Sequence, residues 1–134
     1  MIIAVDFDGT IVEHKYPAIG REIPFAIETL LKLQEKEHRL ILWTYRAGKE
    51  LDEAVEFCHS KGLEFYAINR NYPEEEFDSS ISRKILADMY IDDRNVGGLV
   101  PWGEIYQMIV PEERMDKEYK DPSKKTFLNR LLNI

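Results

Sequence analysis

The sequence predicts an α/β fold, a doubly wound parallel β-sheet with helices on both faces, and three observations predict it. Apolar runs of strand length alternate with longer stretches whose apolar residues recur at helical spacing. The first run, from Ile2 to Phe7, is apolar without alternation up to Asp6, the pattern of a strand buried on both faces, as parallel strands are. Polar residues suited to chemistry, Asp6, Asp8, Thr44, Asp92 and Asp93, each fall at the C-terminal end of a predicted strand, where open parallel sheets bind ligands.

The elements follow in order. After the first strand, Ile27, Leu30, Leu31 and Leu33 fall on helical spacing between Pro24 and about Lys36, with Pro24 suited to a first turn. Arg39 to Tyr45 forms the second strand, and Leu51, Ala54, Val55 and Cys58 form a helix face that stops before Gly62. Glu64 to Ile68 reads as a third strand, Ser79 to Leu86 as a short helix, and Ala87 to Ile91 as a fourth strand running into Asp92 and Asp93. Trp102 to Ile109 is the last helix of the core. Strands and helices at these separations make right-handed βαβ units. A chain of 134 residues holds one core, assigned to residues 1–110, followed by a charged tail, 111–134, with a terminal helix.

Composition narrows the function. Hydrophobic residues at 44% and charged residues at 32% are those of a soluble globular protein. No apolar run approaches the roughly 20 residues of a membrane span, and the N-terminus lacks a signal-peptide pattern, so the expected location is cytoplasmic. A single cysteine, Cys58, excludes an internal disulfide and a thiolate metal cage. A formal charge of −7 argues against nucleic-acid binding but allows a small anionic substrate if a metal ion neutralises the site.

Asp6-Phe7-Asp8-Gly9-Thr10 after an apolar strand resembles the first signature of the haloacid-dehalogenase-like superfamily. The other signatures follow in order: Thr44 at the end of the second strand, Lys84 before the fourth, and Asp92-Asp93 closing it. The resemblance covers about residues 1–110. It implies a Rossmann-like core and a phosphatase that hydrolyses a phosphate monoester through an aspartyl-phosphate. Asp6 is then nucleophile and metal ligand. The family counterpart of Asp8 protonates the leaving oxygen, then activates water, and its backbone carbonyl binds the metal. Asp93 is expected as a direct ligand, with Asp92 supporting it.

Chemistry agrees with those roles. A carboxylate attacks phosphorus only when the negative charge on both reactants is offset, work suited to magnesium on hard oxygen ligands. The Thr44 hydroxyl and the Lys84 charge are suited to holding phosphoryl oxygens. Arg46, two residues past Thr44, is a candidate bidentate partner for substrate, with Asn69 and Arg70 weaker candidates of that kind.

Other readings are weaker. With Asp6 as the first position of an EF-hand loop, the required Gly falls on Ile11 and the final Glu on Pro17, which excludes calcium-loop function. His14, His38 and His59 have no common metal spacing, although His14 lies near the first motif. Glu74 to Glu76 reads as a solvated run. Alternatives to hydrolysis are a phosphotransferase or mutase using the same aspartates, or a catalytically silent binding protein.

The gaps Ile11–Ile23 and Arg70–Asp78 are too short for a separate cap domain, which leaves an open site. The expected partner is a small phosphorylated substrate, with a possible homo-oligomer covering the site. Phe127, Leu128, Leu131 and Leu132 form an apolar stripe that would serve either self-association or packing on the chain's own domain.

Overall fold

The computed structural model describes residues 1–112. The stripe from Phe127 to Leu132 lies outside the described residues. The chain divides into two compact units, Met1–Leu99 and Val100–Ile134.

The first unit is an α/β fold around a four-stranded, all-parallel sheet. Its strands are β1 (Ile2–Val5), β2 (Arg39–Leu42), β3 (Ala67–Ile68) and β4 (Met89–Ile91), with helices α1 (Ala26–Glu35) and α2 (Gly48–Ser60) between the first three. The spatial order is β3-β2-β1-β4, which agrees with a Rossmann-like sheet. Ile3, Ala4 and Val5 in β1 and Leu40, Ile41 and Leu42 in β2 are consecutively buried, as expected of strands covered on both faces. The helices turn their apolar stripes inward: Ile27, Leu30 and Leu33 from α1, Ala54 and Cys58 from α2. At the sheet edge Ile41, Ala67 and Ile85 make a small cluster flanked by Ile2, Trp43 and Tyr66.

Register decides where the site forms. Val5 stands opposite Leu42 on one side and Ile91 on the other. The next residues are therefore level: the Asp6 amide donates to the Ile91 carbonyl at 3.0 Å and the Trp43 amide to the Val5 carbonyl at 2.9 Å. The chain moves outward from β1 to β2 to β3, then returns to the far side of β1 for β4. This reversal is the switch point at which such sheets bind ligands.

The expected helix over Ser79–Leu86 is absent; the segment runs as turns and bends. Side chains there bond the local backbone. The Ser80 amide donates to Asp78 Oδ1 at 2.7 Å and the Lys84 amide to Ser82 Oγ at 3.2 Å, the competition that makes Ser and Asp poor in helix interiors. The third and fourth strands are also shorter than expected. In the second unit, helix α3 spans Trp102–Ile109, the expected range, and buries Trp102, Ile105 and Ile109. No helix among the described residues is long and apolar enough to cross a membrane.

Candidate active site

Asp6 leaves the end of β1 into a turn whose hub is the Phe7 carbonyl, which accepts the amides of Thr10, Ile11 and Val12 at 3.2, 2.9 and 3.3 Å. The turn needs Gly9. Its φ is +79°, and a Cβ there would lie 2.2 Å from Asp93 Oδ2, so the position demands both a left-handed backbone and the absence of a side chain. The loop after β1 is thereby pressed against the loop after β4.

Asp6, Asp92 and Asp93 each bring a carboxylate oxygen to within 4.8 Å of the others, all half-buried. Thr10 stitches the cluster. Its hydroxyl lies 3.4 Å from Asp6 Oδ2 and 3.4 Å from Asp93 Oδ1, while its oxygen accepts the Asp93 amide at 3.1 Å. The Asp92 carboxylate accepts the Arg94 amide at 2.8 Å. Burial pushes the Asp6 carboxyl from its ordinary 3.8 up to about 7; the Phe7 amide opposes this, and the Asp93 hydrogen bond with the charges of Asp92 and Asp93 adds to it. A hard divalent cation suits this donor set, three oxygen ligands that repel one another without one.

Asp8 does not join that cluster with its side chain. Arg46 holds it in a bidentate pair, Nε to Oδ2 at 2.7 Å and Nη2 to Oδ1 at 2.8 Å. The remaining donors of Arg46 reach the carbonyls of Pro17, Ala18 and Glu50 at 2.8–3.2 Å. The guanidinium is thus fully engaged within the protein and its side chain is 0% exposed, where its place after Thr44 suggested a fork open to substrate. It instead fixes Asp8 and ties down the excursion 13–21, whose base is the pairing of Val12 with Glu22.

Thr44, buried at the end of β2, lines the same pocket as Asp6, Asp8, Asp92 and Asp93. Its oxygen accepts the Arg46 amide at 3.1 Å, leaving its O–H to donate. The Asn69 Oδ1 accepts the Thr44 amide at 2.8 Å, and with Arg70 Asn69 lines a different depression beside α2. Lys84 is not among the pocket residues. It is exposed, with its ammonium 5.3 Å from the Tyr90 ring centroid, a consequence of the turns that replace the expected helix. The cation that does line the pocket is Arg94, whose Nε lies 3.8 Å from Asp93 Oδ2.

Sequence reasoning missed Thr10 as the stitch and Arg94, Tyr16 and Tyr45 as lining residues. His14, which it noted near the first motif, also lines the pocket. Arg94 carried a signal, its place directly after the aspartate pair; the tyrosines carried none without the loop conformations.

Two predictions follow from this geometry. Arg46→Met should destabilise the fold by about 3–5 kcal/mol in urea denaturation, the scale for stripping one partner from a buried ion pair; a loss under about 1 kcal/mol would contradict the clamp. The unfolded chain releases the Asp6 proton near 3.8 and the folded chain near 7, so the folded state binds more protons between those values. Its stability in chelator-containing buffer should therefore fall as pH rises from about 4 to 7. Asp6→Asn should flatten that part of the profile, and an unchanged slope would count against the burial of Asp6.

No protein-family model matches the chain, and no curated protein matches it. Among solved structures the chain is similar to a conserved protein from Bacteroides thetaiotaomicron, with a TM-score of 0.78 and 63% identity over 84% of this chain and 91% of that one. The chain belongs to the same family as that conserved protein.

Proposed function

We propose that the protein is a magnesium-dependent phosphatase of the haloacid-dehalogenase-like type, hydrolysing a phosphate monoester with Asp6 as nucleophile. The observation that carries this reading is the gathering of Asp6, Asp92 and Asp93 within 4.8 Å, in one pocket with Thr44 and Asp8. The order Asp6–Thr10, Thr44, Asp92–Asp93 in the sequence adds the resemblance to that superfamily.

Asp6, Asp92 and Asp93 would hold the magnesium ion through carboxylate oxygens and Asp8 through its backbone carbonyl. The ion supplies charge neutralisation, for the carboxylates and for the phosphoryl oxygens. An Asp6 oxygen attacks phosphorus, the ester P–O bond breaks, and its electron pair leaves with the alcohol oxygen, which takes the proton of the Asp8 carboxyl. Water then attacks the aspartyl-phosphate, the bond from phosphorus to Asp6 breaks, and phosphate departs. Asp8 lies in the same pocket, and the Arg46 fork fixes its orientation, so that its carboxyl would give a proton to the leaving oxygen and its carboxylate would then accept one from the attacking water. Thr44 donates its hydroxyl to a phosphoryl oxygen, and Arg94 offers the positive charge for which the sequence suggested Lys84.

Among the described residues no separate cap is inserted into the proposed core. Between β1 and α1 the chain makes only the short excursion that Arg46 ties down, and the stretch between β3 and β4 is turns and bends.

Asp6→Asn should remove phosphatase activity while the protein stays folded, because an amide does not attack phosphorus. Asp8→Asn should slow turnover by about 10²-fold, the usual scale of lost acid–base help. Both are read by phosphate release with magnesium present, and chelation should abolish the wild-type rate. Substantial turnover by Asp6→Asn would overturn the mechanism.

A further inference from the structure

The pocket is larger than phosphoryl transfer alone requires. It encloses about 400 Å³, within the roughly 300–1,000 Å³ of small-molecule sites, and its outer wall is aromatic. Tyr45, the residue after Thr44, is 91% exposed, and Tyr16, on the excursion after β1, is 43% exposed. Their rings meet edge to face, with centroids 6.2 Å apart and planes at 70°. One exposed tyrosine is ordinary on a protein surface. Here two are in contact with each other and line the pocket of the aspartates.

The pair is also preorganised on one side. The Arg46 guanidinium lies 5.2 Å from the Tyr16 ring centroid and holds the next two residues through the Pro17 and Ala18 carbonyls at 3.1 and 2.8 Å. Tyr16 is therefore fixed by the same group that fixes Asp8. Tyr45 takes its place from Thr44, whose amide is anchored on Asn69. Thr44 and Tyr45 line the same pocket, so the ring borders the space beside a phosphoryl held by Thr44. The pocket has little to grip a second anion: among the described residues the one lysine or arginine that lines it is the exposed Arg94, beside Asp93, while the buried Arg46 behind Asp8 is consumed by its own partners. A neutral planar ring is the group that this wall suits, since aromatic faces stack on it without regard to hydrogen-bonding pattern.

We propose that Tyr45 and Tyr16 form a subsite for a planar aromatic ring carried on the phosphate monoester, so that the substrate is a small ring-bearing monophosphate. This rests on the phosphate-ester reading of the same pocket. The ring is either bonded directly to the phosphate oxygen or carried through a sugar, as in a nucleoside monophosphate.

Binding tests the subsite apart from turnover. Asp6→Asn protein is titrated calorimetrically, with magnesium present, against phenyl phosphate, adenosine 5′-monophosphate and methyl phosphate. At least one ring-bearing ligand should bind about fivefold or more tighter than methyl phosphate, the lower end of one stacking contact. Which one does so distinguishes the two ring placements. Adding Tyr45→Ala should collapse that ratio, and Tyr45→Phe should preserve it. Equal affinities for all three ligands, or a ratio that survives Tyr45→Ala, overturns the subsite. If the ratio behaves as expected and the wild-type protein hydrolyses none of the esters, the phosphatase reading fails and the ring subsite stands. If wild type hydrolyses them and Tyr45→Ala leaves the ring-to-methyl ratio of kcat/KM where it was, the subsite alone fails.

Discussion

The site depends on a concentration of negative charge that the sheet imposes. Parallel register sets Asp6 beside Ile91 and delivers Asp92 and Asp93 one step further on, so three carboxylates converge whether or not their charges favour it. Gly9 makes the approach close and Thr10 bridges it. Burial first, and then the neighbouring Asp93 and Asp92, raise the Asp6 carboxyl to about 7. A bound cation on hard oxygen ligands relieves such a concentration of charge, which is why the proposal assigns magnesium here.

Arg46 is the second organising group. A fully buried guanidinium is tolerated only when its donors are satisfied, and this one satisfies them on Asp8, on the excursion after β1 and on the start of α2. One residue between β2 and α2 thereby sets the orientation of a proposed acid–base group and the position of Tyr16 in the aromatic wall. The proposed chemistry and the proposed ring selectivity share this support, so a change at Arg46 would alter both.

Most of the fold was legible because its signals are periodic. The unbroken apolar runs in β1 and β2, the helical stripes of α1 and α2 and the range of α3 follow from the sequence alone. The failure at Ser79–Leu86 has a local cause: Ser and Asp side chains bond their own backbone, and apolar spacing does not register that competition. Lys84 lies in that segment, exposed and beside the Tyr90 ring. The convergence of Asp6, Thr44, Asp92 and Asp93 was legible from their common place at strand ends. The partner of Asp8 was not. Arg46 was noted for its place after Thr44, yet the carbonyls and carboxylate that consume it come from segments whose path no periodicity encodes.

The most direct measurement is a search for the phosphorylated enzyme. Wild-type protein turning over a phosphate ester with magnesium is acid-quenched, digested and examined by mass spectrometry. The account predicts a hydroxylamine-labile phosphoryl group on the peptide that carries Asp6, absent from Asp6→Asn protein. Turnover with the phosphoryl group on another residue would contradict it, as would solvent ¹⁸O entering the Asp6 carboxylate instead of the released phosphate, because breaking the bond from phosphorus to Asp6 leaves both carboxylate oxygens in place.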